Sequence, residues 1–222
     1  MRYSDRTTAG RSLASALQGA DPGAAASGLV LGVPRGGVIV AAALAAELGL
    51  RLDVALARKL GAPFNPELAV GALAEGGAMW INESLLRRIG AREDWLDEVI
   101  ARESEELARR ADLYRGGPPP DLAGELVIVV DDGVATGATL AAVLRALANA
   151  RPRRLICAVP VAPPDSVAML AGFCDLVVCP QQPRRFGAVG SFYVDFRQNS
   201  DAEVVAALAG AIRPDVGERG DR

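Results

Sequence analysis

Two adjacent aspartates, Asp131 and Asp132, directly follow an apolar run at residues 126–130 that is rich in β-branched side chains. Such a run predicts a strand of a parallel sheet that is buried on both faces. A short loop with glycines and threonines comes next, and a helix is predicted to begin after it. Backbone N–H groups and the dipole at a helix N-terminus favour an anion. A phosphorylated ribose would satisfy both parts, since its phosphate suits the loop and its hydroxyls suit the acids.

The order of four apolar residues, two acids and Gly-x-x-Thr-Gly-x-Thr resembles the phosphoribosyl-pyrophosphate (PRPP) motif of type I phosphoribosyltransferases. The resemblance implies that the acids hold the ribose hydroxyls, directly or through Mg²⁺, so that Asp131 and Asp132 are the candidate metal ligands. It also implies that the loop wraps the 5′-phosphate. The implied PRPP-binding residues are Asp131, Asp132, Gly133, Val134, Ala135, Thr136, Gly137, Ala138 and Thr139. An ordinary junction with acids on a solvated turn is the alternative interpretation.

A second glycine-rich run, Gly-Val-Pro-Arg-Gly-Gly at residues 32–37, ends the first predicted strand. Glycines let a backbone approach a phosphate closely, and Arg35 offers a fork of donors. The run resembles the pyrophosphate-binding loop of the same family, which implies that Arg35, Gly36 and Gly37 contact pyrophosphate. It is neither a dinucleotide fingerprint nor a P-loop, because Gly-x-Gly-x-x-Gly and Gly-Lys-Ser/Thr are missing.

Lys59 is the single lysine among 24 basic residues, and it follows Arg58 at the end of a strand predicted over residues 52–57. Residues 60–68 are predicted to form a loop because they contain glycine, prolines and asparagine. The segment resembles the basic pair and mobile loop that close over pyrophosphate in the family. That resemblance implies catalytic roles for Lys59 and Arg58, with Lys59 also contacting pyrophosphate, and offers Glu67 as an acid or base. The alternative is that all of these side chains are simply solvated.

Ala135 bears on the identity of the acceptor. In the 6-oxopurine enzymes that the motif resembles, an acid stands at this position and a lysine lies on the following strand, but residues 158–163 contain no lysine. The resemblance therefore disfavours a hypoxanthine- or guanine-type enzyme. Residues 186–196 occupy the place of the family's variable hood, where Phe192 or Tyr193 could stack on a planar base. Aromatic core packing is the alternative for both.

Alternating strand and helix patterns predict an α/β fold with a doubly wound, mainly parallel sheet. We expect a single domain over residues 1–213, with a small hood formed mainly by residues 180–199 plus the N-terminal segment. Residues 21–27 are predicted to be a loop, and residues 214–222 a disordered tail. Further runs, including Arg-Lys-Leu-Gly-Ala-Pro and Phe-Tyr-x-Asp-Phe, resemble a bacterial group of phosphoribosyltransferases with no assigned acceptor.

Composition excludes several other functions. The 222 residues carry a net charge of −3 and show no basic patch of the nucleic-acid-binding kind. The apolar runs are too short to span a membrane, and the N-terminus has no signal-peptide core, so we expect a cytoplasmic protein. The absence of histidine excludes Ser-His-Asp and Cys-His sites. The three cysteines are predicted to be reduced, buried thiols.

These features favour a Mg²⁺-dependent phosphoribosyltransferase that moves 5-phosphoribosyl from PRPP to a nitrogen acceptor, expected to be a nucleobase, and releases pyrophosphate. PRPP and a small-molecule acceptor are then its partners, with neither nucleic acid nor membrane, and a homodimer is expected from family habit alone. The alternative is a non-catalytic regulator that binds PRPP or a nucleotide. A phosphatase or kinase with Asp131 as nucleophile is disfavoured, because the Asp-x-Asp arrangement is missing.

Overall fold

The computed structural model describes residues 2–90 and 92–212, with positions 66, 67, 76 and 93 described by their backbone alone. A central sheet is built from five mostly apolar strands, of which β2 also carries two charged residues: β1 (Leu29–Gly32), β2 (Arg51–Val54), β6 (Leu126–Val130), β7 (Arg154–Ala158) and β8 (Leu176–Val178). All of its pairings are parallel, in the order β2-β1-β6-β7-β8. The predicted α/β fold with a mainly parallel sheet is therefore confirmed.

Helices cover both faces of this sheet. Their bounds are α1 (Arg6–Ala20), α2 (Pro22–Ser27), α3 (Gly36–Leu48), α4 (Glu83–Ile89), α5 (Glu93–Tyr114), α6 (Ala138–Ala148), α7 (Pro164–Leu170) and α8 (Asp201–Ala209). Alternate residues of the central strands join separate cores: Ile128 packs with residues of α1 and α3, whereas Val127 and Val129 pack with residues of α6. This division follows from the two-residue period of a strand. The predicted loop at residues 21–27 is wrong, because Asp21 accepts a hydrogen bond from the Ala24 N–H and so caps α2.

A second, antiparallel sheet consists of β3 (Ala57–Ala62), β4 (Asn65–Ala74) and β5 (Met79–Ile81). The prediction of a loop at residues 60–68 is therefore wrong, as is a strand reaching residue 57 without interruption. Gly61 is accommodated by irregular register between β3 and β4, and the prolines lie at or near the hairpin tip. Leu60 and Ala62 alternate as buried residues, which ties the hairpin to the core.

Arg115, directly after α5, joins the two sheets. Its Nε donates to both carboxylate oxygens of Asp53 in β2, each at 2.9 Å. Its Nη1 donates to both oxygens of Glu75, which follows β4, at 2.6 and 2.7 Å. The Arg115 side chain is only 9% exposed. A single guanidinium therefore links the end of a parallel strand to the antiparallel sheet.

The N-terminal residues lie against the segment that precedes α8. The Tyr3 N–H donates to the Phe192 carbonyl at 2.8 Å, and the Val194 N–H donates to the Tyr3 carbonyl at 2.8 Å. A capping box of Ser200 and Glu203 is present at the start of α8. Within residues 2–90 and 92–212, no helix has the length and apolarity needed to cross a membrane. The predicted tail at residues 214–222 lies outside the described residues.

Candidate active site

The paired acids and the first glycine loop meet at the carboxyl ends of neighbouring strands. Gly32 of β1 lies opposite Val130 of β6, so the segments that follow both strands start at the same level. A Cβ atom on Gly37 would lie 2.8 Å from the Asp131 Cα, and one on Gly36 would lie 2.0 Å from Asp132 Oδ2. Only glycine fits so close an approach. The structure thus brings together two of the elements singled out from the sequence.

The electrostatics at Asp131 and Asp132 favour a cation. Burial, and then the charge of Asp132, raise the pKa of Asp131 above its ordinary value. Burial also raises the pKa of Asp132, although the Arg6 guanidinium opposes that rise. Asp131 Oδ1 accepts a hydrogen bond from the Asp132 N–H at 2.8 Å. Two crowded acids with little solvent are stabilised when positive charge is added beside them.

Mg²⁺ fits this donor set. The ion prefers oxygen ligands, and it is commonly held by one or two carboxylates together with water and substrate phosphates. Asp131 and Asp132 supply such carboxylates on adjacent residues. In the described part of the chain, no cluster of three or more His, Cys, Asp or Glu side chains could hold a metal. Oxygens of a ligand or of water would therefore have to complete the coordination of any ion bound here.

Hydrogen bonds from neighbouring segments hold the loop between β6 and α6 in shape. The Val134 N–H donates to the Val161 carbonyl at 2.9 Å, and Ser166 Oγ donates to the Ala135 carbonyl at 2.6 Å. Gly137 has a left-handed φ of 75°, and a Cβ there would meet Met169 at 2.6 Å. Among the described residues, no side chain caps the first turn of α6; Ala138 and Thr139 in that turn are exposed, as is Thr136 before it. The positive end of the helix is therefore open to an anion.

Arg35 lies at the start of α3, after a cis peptide bond between Pro34 and Arg35. Its Nη1 is 3.9 Å from Asp201 Oδ1 at the start of α8. The Tyr114 hydroxyl donates to the same Asp201 oxygen at 2.6 Å. Burial, reinforced by that hydrogen bond, raises the pKa of Tyr114 to about 12, so it remains a donor at neutral pH. Arg35 is thus loosely held at the edge of the glycine loop and remains partly exposed.

Arg58 and Lys59 lie within β3 rather than after a strand. Arg58 Nε donates to Glu103 Oε2 of α5 at 2.6 Å, and this contact lowers the pKa of the largely buried Glu103 carboxyl against the opposing effect of burial. Successive side chains of a strand point to opposite faces, so Lys59 faces away from α5. The structure therefore divides the predicted cationic pair between two faces of the sheet. The side chain of Glu67 lies outside the described part of the chain.

Tyr193 and Phe192 occupy different environments. Tyr193 is 1% exposed, its hydroxyl donates to the Asp132 carbonyl at 2.5 Å, and its ring lies between those of Tyr3 and Phe196. The prediction that Tyr193 stacks on an acceptor does not agree with this burial. Tyr193 instead supports the backbone of the aspartate pair. Phe192 is half-buried and stacks on Phe186, with ring centroids 5.1 Å apart.

Sequence reasoning missed Arg6, which lies in the first turn of α1. Its Nε donates to Asp132 Oδ2 at 2.8 Å, its Nη1 donates to the Arg197 carbonyl at 2.9 Å, and its guanidinium lies 4.0 Å from the centre of the Phe196 ring. The two partners in the first bond are 126 residues apart. No local motif marks this arginine among so many others.

A parallel sheet covered on both faces by helices, with glycine loops and acids meeting at its carboxyl ends, defines an α/β protein of the doubly wound class. Comparison with known families is more specific, since residues 10–197 match the phosphoribosyl transferase domain. The chain belongs to the phosphoribosyl transferase family.

Individual relatives agree with this assignment. "Putative phosphoribosyl transferase MT0597" and "Putative phosphoribosyl transferase Rv0571c", from two strains of Mycobacterium tuberculosis, are each 43% identical over 212 residues. Those residues are 95% of this chain and 47% of each relative, so the chain spans about half the length of the curated relatives it matches. The crystal structure of TT1426 from Thermus thermophilus is 44% identical, with a TM-score of 0.84, covering 94% of this chain and 98% of that one.

Proposed function

We propose that this protein transfers 5-phosphoribosyl from PRPP to a nitrogen acceptor, a nucleobase, and releases pyrophosphate. The observation that carries the proposal is the close contact of Gly36 and Gly37 with Asp132 and Asp131. PRPP carries a ring diol and a pyrophosphate on adjacent carbon atoms. A ribose-binding acid pair beside a phosphate-accommodating backbone loop is the arrangement that such a ligand needs. Membership of the phosphoribosyl transferase family supports the same conclusion.

In the proposed reaction, the bond between the ribose C1 and a pyrophosphate oxygen breaks as the acceptor nitrogen bonds to C1. Positive charge then develops on the ring, and negative charge develops on the departing pyrophosphate. Asp131 and Asp132 hold the ring hydroxyls, and residues 133–139 hold the 5′-phosphate. Arg35 and Lys59 stabilise the departing anion, since fixed cations at a developing charge lower the barrier. The acceptor nitrogen loses its proton, for which Glu67 is the candidate base.

Asp131 and Asp132 would also hold Mg²⁺, which would supply further positive charge near the pyrophosphate. The acceptor is expected to lie on the side of Phe192, whose ring is partly accessible. Ala135 provides no carboxylate to a base, so the contacts that select the acceptor must come from other residues.

The proposal is tested by calorimetric titration with PRPP in buffer containing Mg²⁺. We expect the wild-type protein to bind, and the double variant Asp131→Asn, Asp132→Asn to lose binding, because neutral amides cannot hold both a cation and the diol. The matched control is Asp97→Asn with Asp112→Asn, which makes the same charge change on exposed positions of α5. No binding by wild type, or undiminished binding by the site variant, would overturn the proposal.

Catalysis is tested separately by pyrophosphate release. The wild-type protein would be incubated with PRPP, Mg²⁺ and a panel of purines, pyrimidines and small amines. We expect release that depends on one class of nitrogen acceptor and is lost in the aspartate double variant. PRPP binding without release across the whole panel would contradict transferase activity and favour the regulatory alternative.

A further inference from the structure

Arg6 contacts the candidate site although it lies outside the motifs recognised in the sequence. It belongs to α1, yet its guanidinium bonds Asp132, the Arg197 carbonyl and the face of Phe196. The helix and the segment before α8 are thereby joined through one side chain to one carboxylate. Arg6 therefore couples both segments to the Asp132 carboxylate.

The burial of this contact separates it from an ordinary surface ion pair. The side chains of Arg6 and Asp132 are 9% and 16% exposed. Exposed pairs contribute little, because solvent and side-chain freedom weaken them. A charge-assisted hydrogen bond is stronger and more directional, and the second bond to Arg197 restricts the guanidinium further. The orientation of Asp132 is therefore set before any ligand arrives.

The position of the pair relative to the glycine loop supports a role in the site. A Cβ on Gly36 would lie 2.6 Å from Arg6 Nε as well as 2.0 Å from Asp132 Oδ2. Arg6 therefore lies where the ribose-binding acid meets the candidate pyrophosphate loop. A second contact fixes the same residue from its backbone, since the Tyr193 hydroxyl donates to the Asp132 carbonyl.

We propose that Arg6 is a positioning residue for ribose recognition, an inference that rests on the proposed function. Arg6 binds Asp132 Oδ2 and thereby presents Oδ1 to a hydroxyl of the phosphorylated ribose. Holding the acid in one orientation removes the entropic cost of ordering it during binding. Arg6 is assigned no direct contact with pyrophosphate, because its side chain is only 9% exposed and its Nε and Nη1 already donate to Asp132 and Arg197.

The test compares two ligands that represent the two halves of PRPP, ribose 5-phosphate and inorganic pyrophosphate, by calorimetry with Mg²⁺ present. Arg6→Met removes the donors but keeps an apolar stem beside Phe196. We expect it to weaken ribose 5-phosphate and PRPP by roughly 10- to 100-fold, the range typical when the hydrogen-bonding partner of a metal-ligating side chain is removed. Pyrophosphate affinity is expected to fall much less, because the proposed contact of Arg35 with pyrophosphate does not involve Asp132. Arg6→Lys should restore part of the loss, since it keeps the charge but not the fork that reaches both partners.

A matched control is Arg2→Met. Arg2 also contacts the segment before α8, through a hydrogen bond from its guanidinium to the Tyr193 carbonyl, but none of its described bonds reaches Asp132. The Arg2→Met variant should bind ribose 5-phosphate, pyrophosphate and PRPP as wild type does. A double-mutant cycle then identifies the route of the effect: Arg6→Met should add nothing to the loss caused by Asp132→Asn. The double variant also removes both partners of the pair, which avoids an unpaired buried charge if Arg6→Met alone folds poorly.

Several results would overturn the inference. Equal losses for ribose 5-phosphate and pyrophosphate would mean that Arg6 affects folding generally or contacts both halves. Additive losses in the cycle would mean that Arg6 acts independently of Asp132. Unchanged binding by Arg6→Met, with wild type binding PRPP normally, would remove the inference and leave the proposed function standing. If wild type binds neither PRPP nor ribose 5-phosphate, the proposed function fails and this inference falls with it.

Discussion

At Gly36, a single added methyl group would collide with the ion pair formed by Arg6 and Asp132. The space beside this glycine is occupied by protein atoms, so glycine is required here even when no ligand is bound. A glycine in a phosphate-binding loop is usually explained by the approach of the phosphate. Here the same residue also makes room for the acid that would hold the sugar.

The variant Gly36→Ala tests this steric argument. The methyl group would start 2.0 Å from Asp132 Oδ2, so the carboxylate must move, and we expect at least a tenfold loss of PRPP affinity by calorimetry. Gly19→Ala in α1 is the control, because a Cβ there has no described neighbour within 4 Å. Wild-type affinity in Gly36→Ala would show that Asp132 can relax without consequence.

Lys59→Ala tests the leaving-group role. If Lys59 stabilises departing pyrophosphate, its removal should slow pyrophosphate release much more than it weakens binding of ribose 5-phosphate, because the developing charge lies on the leaving group. Lys59→Arg should recover part of the rate by restoring the charge. The measurements are turnover with the active acceptor and calorimetric affinity. Equal losses of rate and ribose 5-phosphate affinity would remove the role.

Residues in contiguous motifs were placed together correctly by sequence reasoning, whereas residues supplied by distant segments were not. Asp131, Asp132, Gly36 and Gly37 follow strand ends, and parallel strands bring their carboxyl ends to one edge. Arg6 had no local signal. Tyr193 was predicted either to stack on a base or to pack in the core, because its type fits both, and only its burial decides between them. The three cysteines are free thiols, as predicted, but burial was predicted correctly only for Cys157, since Cys174 and Cys179 are half-buried.

At the scale of elements, the hairpin of β3 and β4 departs most from expectation. Its glycine and prolines indicated a loop, but these residues lie at an irregular register and near a tip, where strands tolerate them. Phe64 at that tip is 95% exposed. Long-range packing of Leu60 and Val70 into the core stabilises strands that local propensity disfavours. Such packing cannot be read from a local window of sequence.

Arg115→Met should loosen the attachment of this second sheet. It would leave the Asp53 and Glu75 carboxylates without their shared cation, and breaking a buried pair in this way costs about 3–5 kcal/mol. The free energy of unfolding in urea measures the effect. The exposed Arg109→Met, which removes a surface pair with Glu106, should change it little.

A compensating variant makes the explanation falsifiable. Asp53→Asn, Glu75→Gln and Arg115→Met together leave no unpaired buried charge, so much of the lost stability should return. If the triple variant is no more stable than Arg115→Met alone, the network does not act through its charges. The attachment of the two sheets would then depend on packing, including the stacking of Arg145 between Trp80 and Phe173.

For the molecule as a whole, the alternation of strands and helices along the chain was predictable, since most strands of the parallel sheet are short apolar runs bounded by glycine, proline or charge. The pairing of β3, β4 and β5 into a separate sheet was not, because nothing local distinguishes a strand that joins the central sheet from one that leaves it. The contact between the first residues and the segment before α8 was not predictable in detail either, because no local pattern indicates which distant segment the N-terminal residues contact.

The long-range contacts of Arg6 have a consequence for how the protein folds during synthesis. Arg6 bonds Asp132 across 126 residues and the Arg197 carbonyl across 191 residues. Contacts between such distant parts of a chain form late, because closing a long loop costs entropy before the contact repays it. A ribosome must therefore release most of this chain before the aspartate pair has its full support. During synthesis the acids of the PRPP motif exist first as an unfinished site, and binding competence is among the last properties that the nascent protein acquires.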